Sequence, residues 1–148
     1  MKIDYQEIEG ITNSQVLEKI AEFYQSIFAE TDVAKFHNRI NSAEKLHTVL
    51  AFSDDEIVGF KLGYQIDSHI FYSWLGGVNP QFRKLGIAQE LMNRQHDWCK
   101  QNNFQIVQTK TKNSFKPMLI LNIKNGFDIV ELQRNEQDEI KIVLEKKL

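Results

Sequence analysis

The apolar positions of this chain change period several times, and each change marks an element. Polar and apolar residues alternate over residues 2–8, as in a strand with one buried face. Ser14 then precedes Val16, Leu17, Ile20, Phe23, Tyr24 and Ile27, which recur at helical spacing and predict a helix capped by Ser14. Val33, Phe36 and Ile40 predict a second, shorter helix. From His47 the period shortens, and residues 47–52 and 56–66 read as strands joined through the polar turn Ser53-Asp54-Asp55. Residues 69–78, rich in Phe, Tyr, Trp and Ile, predict another strand, ended by Asn79-Pro80. Ile87, Leu91, Met92, Gln95, Trp98 and Cys99 share one face of a helix that stops at Asn102-Asn103. A strand over 104–110 follows, then a short helix over 118–124 closed by Asn125-Gly126. Two last strands, over 127–133 and 139–145, complete the order β-α-α-β-β-β-α-β-α-β-β.

That order is an α+β architecture: a mixed, mostly antiparallel sheet of six to seven strands flanked by about four helices. A βαβ crossover from 69–78 to 104–110 makes that one pairing parallel. With 148 residues, no internal repeat and no Gly/Ser tract, residues 1–148 read as a single domain.

Composition removes several function classes. The lone cysteine, Cys99, excludes an internal disulfide framework and a multi-cysteine zinc site. His37, His47, His69 and His96 lack the close same-face spacing of a metal pair, so no metal is expected. His96 reads as a surface residue of its helix, whereas Trp98 and Cys99 belong to its apolar stripe. No apolar run approaches the ~18–20 residues of a membrane span, and the first residues do not resemble a signal peptide. A cytoplasmic protein without membrane contact is expected.

Charge matters once it is divided along the chain. Residues 1–82 hold 6 Lys/Arg against 12 Asp/Glu, residues 83–124 hold 8 against 2, and residues 125–148 hold 4 against 6. A basic centre between acidic flanks is either a solvated face or a seat for a polyanion. The net charge of −2 argues against a nucleic-acid partner.

Three of the seven glycines fall within residues 76–86, around a strand-to-helix transition. Gly76-Gly77 within a strand suggests a bulge or the close approach of another backbone or a ligand. Gly86, after Arg83-Lys84-Leu85, lets the chain turn so that free N–H groups at the helix start face an anion. The run Val78-x-Pro80-x-x-Arg83-x-x-Gly86-Ile87-Ala88 resembles the acetyl-CoA signature of the GNAT superfamily of N-acetyltransferases, (Gln/Arg)-x-x-Gly-x-(Gly/Ala). Asn113, the spacing Met118-x-x-x-Asn122-x-x-x-Gly126-Phe127 and the element order extend the resemblance over nearly the whole chain.

The resemblance implies direct transfer of acetyl from acetyl-CoA to a primary amine, with no covalent enzyme intermediate and no metal. The amides of Lys84, Leu85, Gly86, Ile87 and Ala88 would cradle the pyrophosphate, with Arg83 opening the loop. A bulge near Gly76-Gly77 would part the flanking strands, and the pantetheine would pair with backbone groups of Gly76 and Val78, one amide polarising the thioester carbonyl. Asn113 would contact the pantetheine, and Lys110, Lys112, Lys116 and Lys124 would face the phosphorylated adenosine.

Two positions depart from the pattern. Asn122 stands where the family often has a tyrosine as general acid; it can hydrogen-bond to the sulfur or the pantetheine but cannot protonate a thiolate. Tyr72 stands where some relatives carry an acidic residue, and it either relays a proton through water or shapes the pocket.

The resemblance implies a small-molecule or peptide amine as acceptor, met by residues 24–40 and 60–72 in the acidic half of the chain. That half favours a cationic acceptor such as a polyamine, an aminoglycoside or a lysine side chain, and His37, near the second helix, is a candidate to face the pocket. The resemblance also implies a homodimer. A non-catalytic module that holds CoA or senses acyl-CoA on the same fold is the alternative reading.

Overall fold

The computed structural model describes residues 2–10 and 13–148. Seven strands form one sheet in the order β1-β2-β3-β4-β5-β7-β6. They are β1 (Ile3–Glu9), β2 (Glu44–Ser53), β3 (Glu56–Asp67), β4 (Ile70–Val78), β5 (Ile106–Lys112), β6 (Asp128–Arg134) and β7 (Ile140–Lys147). The helices are α1 (Ser14–Ile27), α2 (Val33–Ser42), α3 (Ile87–Gln101) and α4 (Lys116–Lys124), and a 3-10 turn spans Pro80–Phe82. Every pairing is antiparallel except β4 with β5, where the crossover through α3 enforces the parallel sense. The α+β order read from the sequence is the order of the fold.

Helix starts follow local chemistry. The cap of α1 is Asn13 and not Ser14: its side chain accepts from the Val16 amide at 2.9 Å, and Ser14 becomes the first helical residue. Asp32 caps α2 by accepting from Lys35 N at 3.0 Å. Each satisfies one of the orphan donors of a helix start, worth about 1 kcal/mol. The apolar stripes then decide the layers. Ile20, Phe36 and Ile40 of α1 and α2 bury against Leu50, Phe60 and Leu62 on one face of the sheet. On the other face, Met92, Trp98 and Cys99 of α3 pack with Phe71, Val107 and Leu144. Trp98 and Cys99 are core, as their stripe predicts.

His96 is not a surface residue. It is buried beside Phe127, and Lys146 Nζ lies 3.1 Å from its Nδ1. A lysine ammonium only donates, so Nδ1 is the acceptor and the ring proton sits on Nε2. Burial, then the positive Lys146, Lys61 and Lys100, push the imidazole down to about 3. Among the described residues, no helix is long and apolar enough to cross a membrane.

Candidate functional site

The turn into α3 is shaped by two left-handed residues, Lys84 (φ 65) and Gly86 (φ 78), on either side of Leu85. A left-handed conformation is natural for glycine and strained for lysine. Alternating backbone handedness points successive N–H groups into one concavity. The first hydrogen bond of α3 runs from Glu90 N to Gly86 O at 3.0 Å. Among the described residues, the amides from Lys84 to Gln89 donate to no protein acceptor. No side chain caps the helix, and a Cβ placed on Gly86 would meet nothing within 4 Å. The positive end of a four-turn helix thus opens onto empty space ringed by unused donors, flanked by the exposed Arg83 and Lys84.

The strand that feeds this turn parts from its neighbour. β4 pairs with β5 from Ile70↔Ile106 to Ser73↔Thr109 and no further. The bulge responsible lies at Trp74, since Leu75 opposes Leu62 while Ser73 opposes the next residue, Gly63. Gly76 and Gly77 themselves pair regularly with Lys61 and Phe60, so the bulge expected at the two glycines falls two residues earlier. The bulk of Trp74 explains the shift: its ring stacks on Phe36 at 5.7 Å, under Arg39 at 5.1 Å, and drags the strand toward α2. Gly77 is a glycine for a different reason. A Cβ there would lie 2.3 Å from Ile27 Cδ1, so α1 packs directly onto the strand backbone.

Beyond the bulge the pairing phase decides which backbone groups are free. Asn79 N donates to Val58 O at 2.8 Å, which makes 58–79 a hydrogen-bonded pair. Antiparallel pairs alternate, so Gly77 bonds toward Phe60 while the N–H and C=O of Gly76 and Val78 turn to the side that β5 has left. These are the two residues to which the family resemblance gives the pantetheine.

On the α1/α2 face, a cleft of about 640 Å³ opens where β4 and β5 are still paired. Arg39, Glu44, Tyr64, Asp67, Tyr72 and Lys110 line it. Tyr72 therefore faces the cleft, against Tyr64 with ring centroids 5.7 Å apart. Burial, with Tyr64 adding and Arg39 opposing, pushes the phenol up to about 12. It stays protonated near neutral pH, able to donate a hydrogen bond. Lys110 Nζ sits 6.0 Å from the Tyr72 ring, and Lys112 pairs with Glu139 at 3.1 Å. Two of the four lysines that the resemblance gives to adenosine are thus engaged elsewhere, while Lys116 and Lys124 stay exposed on α4. His37 packs edge-on to Phe36 at 5.5 Å and does not line the cleft.

On the α3/α4 face, the start of α3 is tied to the end of α4. Gln89 and Asn125 exchange side-chain hydrogen bonds at 2.7 and 2.9 Å. Asn122, one turn earlier on α4, is buried, and among the described residues its side chain makes no hydrogen bond. Asn113 is exposed in the turn after β5.

Lys61 on β3 went unmarked in the sequence because it reads as one polar position in an apolar strand. It is 8% exposed and burial pushes it down to about 8. Among the described residues, no group of three or more His, Cys, Asp or Glu is placed to hold a metal ion. Cys99 is buried, with its thiol pushed up to about 12, which makes it inert.

No curated protein matches the chain. Solved structures share its fold over nearly full length. Ard1 from Thermoplasma volcanium is 15% identical, with 97% of each chain covered and a TM-score of 0.79. Arabidopsis thaliana NAA60 in complex with acetyl-CoA is 18% identical, with 99% of each chain covered and a TM-score of 0.80. A GNAT family acetyltransferase from Elizabethkingia anophelis, with acetyl-CoA bound, is 19% identical over 99% of this chain and 98% of its own, with a TM-score of 0.75. The model of the acetyltransferase (GNAT) family matches residues 13–121, well over half of the sequence. The chain belongs to the acetyltransferase (GNAT) family.

Proposed function

We propose that this protein transfers the acetyl group of acetyl-CoA directly to a primary amine, as one cytoplasmic domain spanning residues 1–148. The observation that carries the reading is the set of unused amides at the start of α3, opened by left-handed Gly86 beside a parted strand pair. That set suits a pyrophosphate: several N–H donors, a helix dipole and the charges of Arg83 and Lys84 converge on a space that no side chain fills. Bound there, acetyl-CoA supplies an activated acyl group on a thiol leaving group.

In this reading Gly76 and Val78 hold the donor arm through the backbone groups freed on the β5 side, as an added strand would. An amide of Gly76 then faces the carbonyl whose oxygen gains charge. The acceptor enters from the opposite face, through the cleft, and Tyr72 donates a hydrogen bond or relays a proton there. The lining tempers the charge argument drawn from the acidic half. Glu44 and Asp67 favour an ammonium, but Arg39 and Lys110 stand beside them, which fits an amine that also carries an anionic group. Asn113 and Asn122 complete the donor side as hydrogen-bonding groups.

Asn122 favours a second reading, a module that binds CoA without turnover, because an amide is a poor acid for the leaving sulfur. A panel of spermidine, an aminoglycoside, a lysine peptide and free amino acids, assayed for thiol release from acetyl-CoA, separates the two. The proposed reading expects turnover with at least one amine and sequential kinetics, whereas ping-pong kinetics would point to an acyl-enzyme. Binding without turnover across the panel favours the second reading.

A further inference from the structure

Resting on the acetyltransferase reading, we propose that Lys61 gives the proton to the departing sulfur of CoA, the task for which Asn122 is unsuited. Lys61 lies opposite Gly76 in the β3–β4 register, on the α3/α4 face. A Cβ placed on Gly76 would lie 3.6 Å from Lys61 Cγ and 3.7 Å from its Nζ. The lysine therefore occupies the space that a side chain at 76 would take, and its amine rests against the backbone read as the thioester's partner.

That amine has no protein partner among the described residues, neither a carboxylate nor a hydrogen-bond acceptor. A lysine is rarely buried unless paired, and an aliphatic side chain would fill this place at lower cost. Buried polar atoms on α3 lack partners as well. A Cβ on Gly59 would meet Leu91, and one on Gly63 would meet Phe71, which packs on Trp98, so α3 between Leu91 and Trp98 runs over this stretch of β3. Gln95 is fully buried with both side-chain amide atoms unpartnered, and His96 Nε2 on the next residue is unpartnered too. Buried polar atoms in this state point to a guest that supplies the missing bonds.

The charged and titratable groups around Lys61 do not neutralise it. From α3 comes His96, uncharged near neutral pH. β2 contributes Val49 and β4 contributes Gly76 and Ser73, none of them titratable. Burial alone brings Lys61 to about 8, close to the ~8.5 of an ordinary thiol, so little free energy separates the proton on nitrogen from the proton on sulfur.

The step balances. The acceptor nitrogen forms its bond to the carbonyl carbon, the C–S bond breaks with its electron pair on sulfur, and the Lys61 ammonium protonates that sulfur. Lys61 recovers a proton from solvent, which takes the one lost by the acceptor ammonium.

The test uses the full chain with Lys61→Met, which keeps the length without charge, and Lys61→Arg, whose proton cannot leave. Binding of CoA is followed by calorimetry, and the bound thiol is titrated by its ultraviolet thiolate absorbance, which requires no acceptor. Lys61→Met is expected to bind CoA within a few-fold of wild type, with the bound thiol titrating about 1–3 pH units higher for want of the nearby ammonium. With an accepted amine, kcat should fall by about 10²–10⁴ while KM changes little, and the alkaline limb near pH 8 should disappear. Lys61→Arg should restore the low thiol titration but not kcat. Equal thiol titration in wild type and Lys61→Met, or an undiminished kcat, overturns the role of Lys61 and leaves the acetyltransferase reading standing. An acetyl group found on Lys61 itself overturns it too, since the residue would then be an acceptor. Failure of the wild type to bind CoA overturns both readings together.

Discussion

Exchanging Lys61 for methionine also measures what a buried, unpartnered ammonium costs the fold. Burial lowers this lysine from the ordinary 10.5 to about 8. At about 1.4 kcal/mol for each tenfold change in proton affinity, that difference corresponds to about 3 kcal/mol. The sign follows from proton counting. Below pH 8 both folded and unfolded chains hold the proton, and the folded state carries the full cost. Between pH 8 and 10.5 the unfolded chain keeps a proton that the folded chain has released, so stability rises with pH. Above 10.5 both are neutral and the cost is gone. Methionine matches the lysine stem and has no charge to bury. Urea denaturation of both proteins from pH 7 to pH 10.5 is the assay, and the difference between them cancels groups common to both, such as Lys141 and Lys146. Lys61→Met should be more stable at pH 7 by up to about 3 kcal/mol, or roughly 6–12 °C in Tm for a chain of this size. The gap should close as pH approaches 10.5. A gap that ignores pH, or a methionine variant less stable at pH 7, would refute the reasoning.

Three further outcomes follow from individual contacts. Gly63→Ala should cost about 1–3 kcal/mol, because its Cβ would lie 2.4 Å from Phe71 Cε2 and 2.5 Å from the backbone oxygen of Tyr72; an unchanged melting temperature would contradict this. His96, buried and neutral down to about pH 3, contributes stability that is complete above its ordinary 6.5 and is lost as pH falls toward 3, since the unfolded chain then binds a proton that the folded chain does not. His96→Gln should therefore flatten the acid limb of the stability curve, by at most about 5 kcal/mol across that window; an acid limb as steep as wild type would argue against it. Tyr72→Phe should leave CoA binding intact and reduce kcat with an accepted amine about tenfold or more if the phenol relays a proton, and an unchanged kcat would reduce Tyr72 to a wall of the cleft.

Much of the turn into α3 was legible in the chain because it rests on backbone. Gly86 and the helix stripe from Ile87 onward encode a turn and a dipole, and both leave a local signature. The order of elements was legible for the same reason, since hydrophobic period is a local property. What escaped depends on contacts between distant segments. The bulge was placed at Gly76-Gly77 because glycine is the local sign of one, but Trp74 forms it through its stacking on Phe36 from α2. His96 looked solvated because polarity is read residue by residue, and only the fold brings Lys146 and Phe127 against it. Lys61 gave no signal at all. A lysine in a strand usually faces water, and its burial requires β4, α3 and a glycine at position 76 to close over it. The cleft was the least legible part, since Arg39, Glu44, Asp67 and Lys110 come from four elements with no shared motif.

The central claim is that the start of α3 holds the phosphates of acetyl-CoA. Calorimetric titration of wild type and Gly86→Glu with acetyl-CoA and CoA tests it most directly. A glutamate at Gly86 is strained by φ 78, and it puts a bulky anion into the space now open above the turn, without touching the protein core. Micromolar binding to the wild type and none to the variant is expected, with circular dichroism unchanged between the two. Equal binding by both proteins would place the nucleotide elsewhere, and no binding by the wild type would remove acetyl-CoA from the account.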